Sequence, residues 1–309
     1  MKVSVIGAGN VGATCGQVLA YKQIANQVVL LDIEEGIAEG KAMDIMQCAT
    51  TYGFDTVVTG TTNNYQETQN SDVIVITSGT PRKPGMTREE LIATNVDIVF
   101  EVTKNVLKYS PNAVLVVVTN PLDSITYAVL KYSGLPANKV IGMGSSLDSA
   151  RFKYQLSTKT KLPANDLEAL VIGGHGDTTM IPLINMANYK GIPITNYLNK
   201  VEIDDIVNKT MVGGATLTKL LGTSAWYAPG AAAALLVDAI VNDKKKLMPC
   251  ATLLTGEYNV KDVVMGVPCV IGKNGVEKIV ELQLEKSEQE KFQKSAEAIK
   301  AVNAQIKIK

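Results

Sequence analysis

The chain has 309 residues, 46% of them hydrophobic and 19% charged, with 30 Lys and Arg against 30 Asp and Glu. That length can bury a large core in one domain or two, and the balanced charge gives no drive toward nucleic acid, a membrane surface or disorder. The four cysteines, Cys15, Cys48, Cys250 and Cys269, make no C-x-x-C pair and no cluster with the single histidine, which speaks against a structural metal site and fits buried free thiols in a reducing compartment.

The opening "MKVSVIGAG" passes from one lysine into a short apolar run ending in glycine, so no signal peptide is expected and the chain reads as soluble and cytoplasmic. Lys2 to Ile6, Val28 to Leu31, Asp72 to Thr77, Ala113 to Thr119 and Lys139 to Met143 are predicted strands, nearly continuous in Val and Ile as parallel strands covered on both faces should be. Between them, Val11 to Tyr21, Gly36 to Ala49, Thr87 to Tyr109 and Leu122 to Ser133 carry helical patterns. This alternation predicts right-handed βαβ units and a doubly wound parallel sheet, with ligands at the carboxyl ends of the strands.

Beyond about residue 145 the rhythm changes. A helix is predicted over Leu147 to Thr160, a strand over Glu168 to Ile172, and a long helical region broken at Gly213-Gly214, Gly222 and Pro229-Gly230. A hairpin turning at Lys273-Asn274-Gly275 and a closing helix from Lys286 to Gln305 complete the chain. The expected fold class is α/β: a Rossmann-type sheet over 1–144, then a mixed α+β domain over 145–309. The small-residue run Pro229 to Ala234 suits close helix approach, between subunits or inside one.

The stretch "VSVIGAGNVGATCG" spaces Gly7, Gly9 and Gly12 as G-x-G-x-x-G, with Asn10 and Val11 opening the helix that follows. Alone the pattern is a glycine-rich turn. Here it follows a strand, opens a helix, and is succeeded by Asp32 at the end of the next strand, as dinucleotide binding requires. A carboxylate at that place accepts from ribose hydroxyls and repels a 2′-phosphate, so NAD is expected rather than NADP.

"GGHGD" holds the only histidine, His175, among Gly173, Gly174 and Gly176. It fits a proton carrier in a turn cleared for close approach of substrate and cofactor, and equally a histidine satisfied in the core. A ring used in catalysis needs a carboxylate to fix its tautomer, and the adjacent Asp177 is not evidently placed for that. In "LDSARF", Asp148 and Arg151 share one helix face three residues apart, suited to orient the imidazole and bind a substrate acid, or to form a surface ion pair. "SGTPRKPGMTR" gathers Arg82, Lys83 and Arg88 among glycines and prolines after a strand, as a solvated basic loop or a lid over an anionic substrate would.

With "VTNPLD" between them, these motifs in this order make the whole chain resemble the lactate/malate dehydrogenase family, and within it the bacterial lactate-dehydrogenase-like malate dehydrogenases. The resemblance implies His175 as proton acceptor, Asp148 as its orienting carboxylate, and Arg151 as the bidentate partner of the substrate's C1 carboxylate. It implies Arg88 at the reacting carbonyl, Asn120 at substrate and nicotinamide, and Asn95 and Val118 beside the cofactor. Arg82 stands where lactate enzymes usually carry glutamine, so it implies malate and oxaloacetate as the dicarboxylate pair; a lactate or other 2-hydroxy acid dehydrogenase is the alternative. An NAD-dependent glycosidase and a noncatalytic NAD-binding protein are more distant rivals. "GTSAWYAPG" departs from the expected active-site wall at Thr223 and Trp226. No metal is implied, and assembly as a homotetramer, or a homodimer, rests on resemblance alone.

Overall fold

Strand β1 (Lys2–Ile6) starts a computed structural model that describes residues 1–80 and 88–307, with Arg88 through its backbone only. The next elements are α1 (Asn10–Tyr21), β2 (Gln27–Asp32), α2 (Ile37–Gln47), the single turn α3 (Ala49–Tyr52) and β3 (Val57–Thr62). Then come β4 (Val73–Ile76), α4 (Arg88–Tyr109), β5 (Val114–Val117), α5 (Leu122–Ser133) and β6 (Val140–Gly142). Every side chain of β4 and β5 is buried, as helices on both faces demand. The six strands pair in parallel in the order β3-β2-β1-β4-β5-β6. Chain direction across the sheet reverses between β1 and β4, and a ligand crevice forms at such a point.

The remaining elements are α6 (Gly144–Thr160), β7 (Leu167–Glu168), β8 (Val171–Gly173), β9 (Met180–Pro182), β10 (Asn188–Tyr189) and β11 (Ile192–Pro193). They are followed by α7 (Lys200–Met211), α8 (Gly213–Leu221) and α9 (Tyr227–Val241). The chain closes with β12 (Lys246–Thr255), β13 (Lys261–Gly272), β14 (Gly275–Ile279) and α10 (Lys286–Asn303). β12 pairs antiparallel with β6 and with β13, and β8, β9 and β14 extend the same sheet, which counts eleven strands among the described residues. One apolar core runs along it and includes Val5 and Ile141 from the first half, and Cys250, Met265 and Phe292 from the second. A smaller cluster around Phe152, Leu156, Ile194 and Ile206 sits behind α6.

The strand expected over Glu168 to Ile172 is two strands: β7 joins a small sheet with β10 and β11, and β8 joins the large one. Ala169 and Leu170 carry the chain between the two sheets, so an unbroken apolar run hides a change of partner. Within the run Pro229 to Ala234, Gly230 makes a close approach inside the chain, since a Cβ on it would lie 2.8 Å from the Thr14 side chain of α1. All four cysteines are free thiols, and Cys48 is only half-buried where burial was expected.

Candidate active site

The glycine loop lies in the crevice between β1 and β4. Gly7 leaves β1 at φ +99°, a conformation that penalises any side chain, while its carbonyl accepts from Thr77 Oγ1 at 2.7 Å. A Cβ on Gly12 would collide with that same carbonyl, so this glycine lets α1 rise directly beside the strand. Gly9 differs: a Cβ there meets nothing within 4 Å, so its smallness serves space outside the protein. α1 begins on it with no side-chain cap and no acidic residue in its first turn, which leaves the N–H groups at Asn10 and Val11 open to an anion. Asp32 Oδ2 accepts from Ala8 N at 2.6 Å, and Oδ1 from Ile33 N at 2.8 Å and Glu34 N at 3.2 Å. Of the roughly four lone pairs of a carboxylate, that leaves one on Oδ2 for a ribose hydroxyl. This cradle fits a dinucleotide.

His175 follows β8, and its Nδ1 lies 2.7 Å from Asp148 Oδ2 on α6. A carboxylate only accepts, so the shared hydrogen sits on Nδ1 and Nε2 is the basic nitrogen. Asp148 is 1% exposed, and its Oδ1 accepts from Arg151 Nη1 at 3.2 Å. Burial works against charging the imidazole, but the charge of Asp148 and its hydrogen bond, helped by Asp123, prevail over burial and Arg151 and hold the pKa above the ordinary value. Asp177 lines the space beside the ring, and Asp148 is the ring's bonded carboxylate. Among the described residues, Arg151 Nε is buried without a partner, and α8 turns Gly213 and Gly214 toward this guanidinium. A guanidinium with a free fork in a concave site suits a bidentate carboxylate.

The three glycines around His175 prove to have another task than clearing space for ligands. A Cβ on Gly173, Gly174 or Gly176 would come within 2.5, 2.8 and 2.9 Å of Thr179 atoms. They admit the returning chain, and the turn closes through Gly174 N donating to Thr179 O at 3.2 Å and to Ser295 Oγ of α10 at 3.0 Å.

A cavity of about 350 Å³ joins Val11, Val118, Asn120, Arg151 and His175, with Ser224, Ala225 and Pro229 along one wall. Trp226, one of the two unusual residues of "GTSAWYAPG", faces elsewhere, into a groove with Asn10, Lys41 and Asp44, while Ser224 and Ala225 of the same segment line the cavity around His175. Asn95 is 2% exposed and binds inside the protein: its Nδ2 donates to Asn120 O at 2.7 Å, and its Oδ1 accepts from Thr80 N at 2.8 Å. It therefore holds Asn120 in place. Arg82 lies outside the described residues, as does the Arg88 side chain, and Arg88 itself opens α4.

Three residues of the site escaped the sequence reading. Lys41 Nζ donates to Ala8 O at 2.7 Å, so Ala8 is held from α2 through its carbonyl and from Asp32 through its N–H. Gly144 opens α6 against the His175 side chain. Asp123 lay within a quoted motif without a role, and its Oδ2 accepts the His175 backbone N–H at 2.7 Å.

Residues 1–142 match the family model of the lactate/malate dehydrogenase NAD binding domain, and residues 145–308 that of the lactate/malate dehydrogenase alpha/beta C-terminal domain. The chain belongs to the lactate/malate dehydrogenase family. A malate dehydrogenase of Bacteroides thetaiotaomicron is 60% identical over 306 residues, covering 99% of this chain and 98% of that one. The solved malate dehydrogenase of Salinibacter ruber superposes with a TM-score of 0.94 at 42% identity, over 99% of this chain and 97% of that one. A lactate dehydrogenase from Cryptosporidium parvum, solved with lactic acid and nicotinamide adenine dinucleotide, gives 0.93 at 38% identity, over 98% and 96% of the two chains. Both branches of the family thus share this fold, and the choice between them lies in side chains.

Proposed function

We propose that this protein is an NAD-dependent malate dehydrogenase that interconverts (S)-malate and oxaloacetate. The observation that carries the reading is the chain of contacts Arg151–Asp148–His175, 3.2 and 2.7 Å long, in a cavity that also reaches Val11 at the start of α1. When bound, NAD supplies the acceptor of the hydride lost by the substrate's hydroxyl-bearing carbon. The chain supplies everything else. His175 Nε2 takes the hydroxyl proton, Asp148 stabilises the imidazolium so formed, and Arg151 anchors the C1 carboxylate so that the reacting carbon is held in register. Asn120 adds a hydrogen bond to the substrate, and Arg88 polarises the carbonyl in the reverse direction. Gly7, Gly9, Asn10, Val11 and Gly12 would hold the pyrophosphate and Asp32 the ribose, Val118 would line the nicotinamide side, and Asn95 stands behind Asn120.

Arg82 supports malate over lactate: a guanidinium in a water-poor site pairs with the second carboxylate of oxaloacetate, whereas the methyl group of pyruvate leaves it unpaired at about 1–3 kcal/mol or more. A 60% identical malate dehydrogenase supports the same choice. The test is the initial rate of NADH oxidation with oxaloacetate and pyruvate in parallel. A large preference for oxaloacetate is expected; a preference for pyruvate would transfer the protein to the lactate branch. We place it in the cytoplasm as a homotetramer, and a dimer by light scattering would revise that assembly.

A further inference from the structure

Asp123 is the second residue of α5, 8% exposed, and its Oδ2 accepts the main-chain N–H of His175 at 2.7 Å. Two acidic side chains therefore grip one histidine from different helices: Asp148 of α6 holds the ring, and Asp123 of α5 holds the backbone that carries it. A neutral Ser or Asn oxygen would satisfy a backbone N–H without burying a charge. The charge itself needs a reason.

The balance of charge around His175 provides one. From α6 come Asp148 and Arg151, from α5 Asp123, and from the histidine's own turn Asp177. α10 presents Ser295, Ala298, Ile299 and Val302 to this turn, while its Lys291 and Lys294 line a separate cavity beside Thr178 to Pro182. Of the most buried charged groups among the described residues, Asp123 and Asp148 carry two negative charges and Arg151 one positive, so a proton on His175 brings these four to neutrality. With Asp123 uncharged, the same proton would leave a net positive charge among these largely buried groups, which is costly. Burial lifts the Asp123 pKa to about 6 against the lowering pull of His175, so the carboxylate is ionised at neutral pH.

We propose that Asp123 is a positioning residue of the proton-transfer unit, fixing the main chain of His175 while its charge raises the imidazole's affinity for the substrate proton. The inference rests on His175 being the proton acceptor, and it adds a second carboxylate to the histidine–aspartate pair.

A single histidine makes the test direct, because in tag-free protein one imidazole resonance reports His175 alone. Its titration is followed by NMR in the wild type, Asp123→Asn and Asp123→Ser, both of which keep an oxygen able to accept the His175 N–H. The midpoint is expected to fall by about one pH unit in either variant, with NADH binding by fluorescence unchanged. The acid limb of the malate-oxidation profile should move down with it. An unmoved midpoint in a folded variant overturns the proposal, and either variant suffices if the other does not fold. The titration needs no turnover, so the two readings fail separately: a wild type inactive on both oxaloacetate and pyruvate defeats the functional reading, and an unmoved midpoint beside an active wild type defeats only this one.

Discussion

Gly144 packs against the side chain of His175, so close that a Cβ on it would come within 2.8 Å of both Cβ and Cγ of the histidine. The first residue of α6 is thus a support for that side chain, one turn of helix before Asp148 takes hold of Nδ1. Gly144→Ala should tilt the ring out of register while leaving the glycine loop untouched. Misplacement on the ångström scale costs about 100-fold in rate. The expected result is a kcat loss of that order with NADH affinity unchanged; wild-type kcat would show that the ring tolerates the push.

Two glycines of the cofactor loop should respond in opposite ways. Gly9 has extended backbone and open space at its Cβ position, whereas a Cβ on Gly12 would strike the Gly7 carbonyl. Gly9→Ala is therefore expected to melt like the wild type and bind NADH at least about tenfold more weakly, by excluding the pyrophosphate. Gly12→Ala should lose about 1–3 kcal/mol of stability through overpacking. Chemical denaturation and fluorescence titration of both variants distinguish the cases, and equal stability losses would contradict the space seen at Gly9.

Asp148→Asn removes the strongest support for a charged His175 and no longer dictates which ring nitrogen carries hydrogen. With His175 as the proposed proton acceptor, malate oxidation needs a neutral imidazole, so its rate should climb as pH rises through the His175 pKa, which Asp148 holds above the usual value. The variant should retain between about one part in 10² and one part in 10⁴ of wild-type kcat. Its acid limb should lie at lower pH. Residual activity with the wild-type pH profile would mean that Asp148 does not tune the ring.

Asp123 also leaves a mark on stability. Its folded pKa of about 6 lies above its ordinary value of 3.8, so between those values the folded protein binds a proton that the unfolded chain has lost. The stability this group contributes is complete below about pH 4 and is lost as pH rises through 6. Asp123→Asn carries no such penalty. Relative to the wild type it should gain steadily between pH 4 and 7, by up to about 3 kcal/mol. A constant difference across that range, measured by denaturant unfolding, would show that burial does not strain the carboxylate.

Much of the first half was legible because strands buried on both faces write themselves as Val and Ile runs, and β1 falls where that run does. β3 was not legible: "VVTGTT" lies at the sheet edge with one buried residue, so no apolar pattern marks it. His175, Asp148 and Arg151, which the structure brings into contact, could be singled out because their chemistry shows in residue type. Gly144, Lys41 and Asp123 act through where they stand, on a histidine side chain, a carbonyl and an amide that the chain brings close only when folded. A glycine directly after the strand expected over Lys139 to Met143 was the one local hint, and the glycines of the histidine turn misled in the other direction by serving Thr179.

The pairing of Gly142 on β6 with Ala251 on β12 carries one sheet, and one core, across the point where the two family segments meet. The walls of the cavity around His175 therefore stand on one continuous sheet and one core. Heat should melt them together in one calorimetric peak. Either segment expressed by itself would expose an unpaired strand edge and a bare apolar wall, an invitation to aggregate, so this protein is expected to tolerate neither splitting at residue 143 nor a long insertion there.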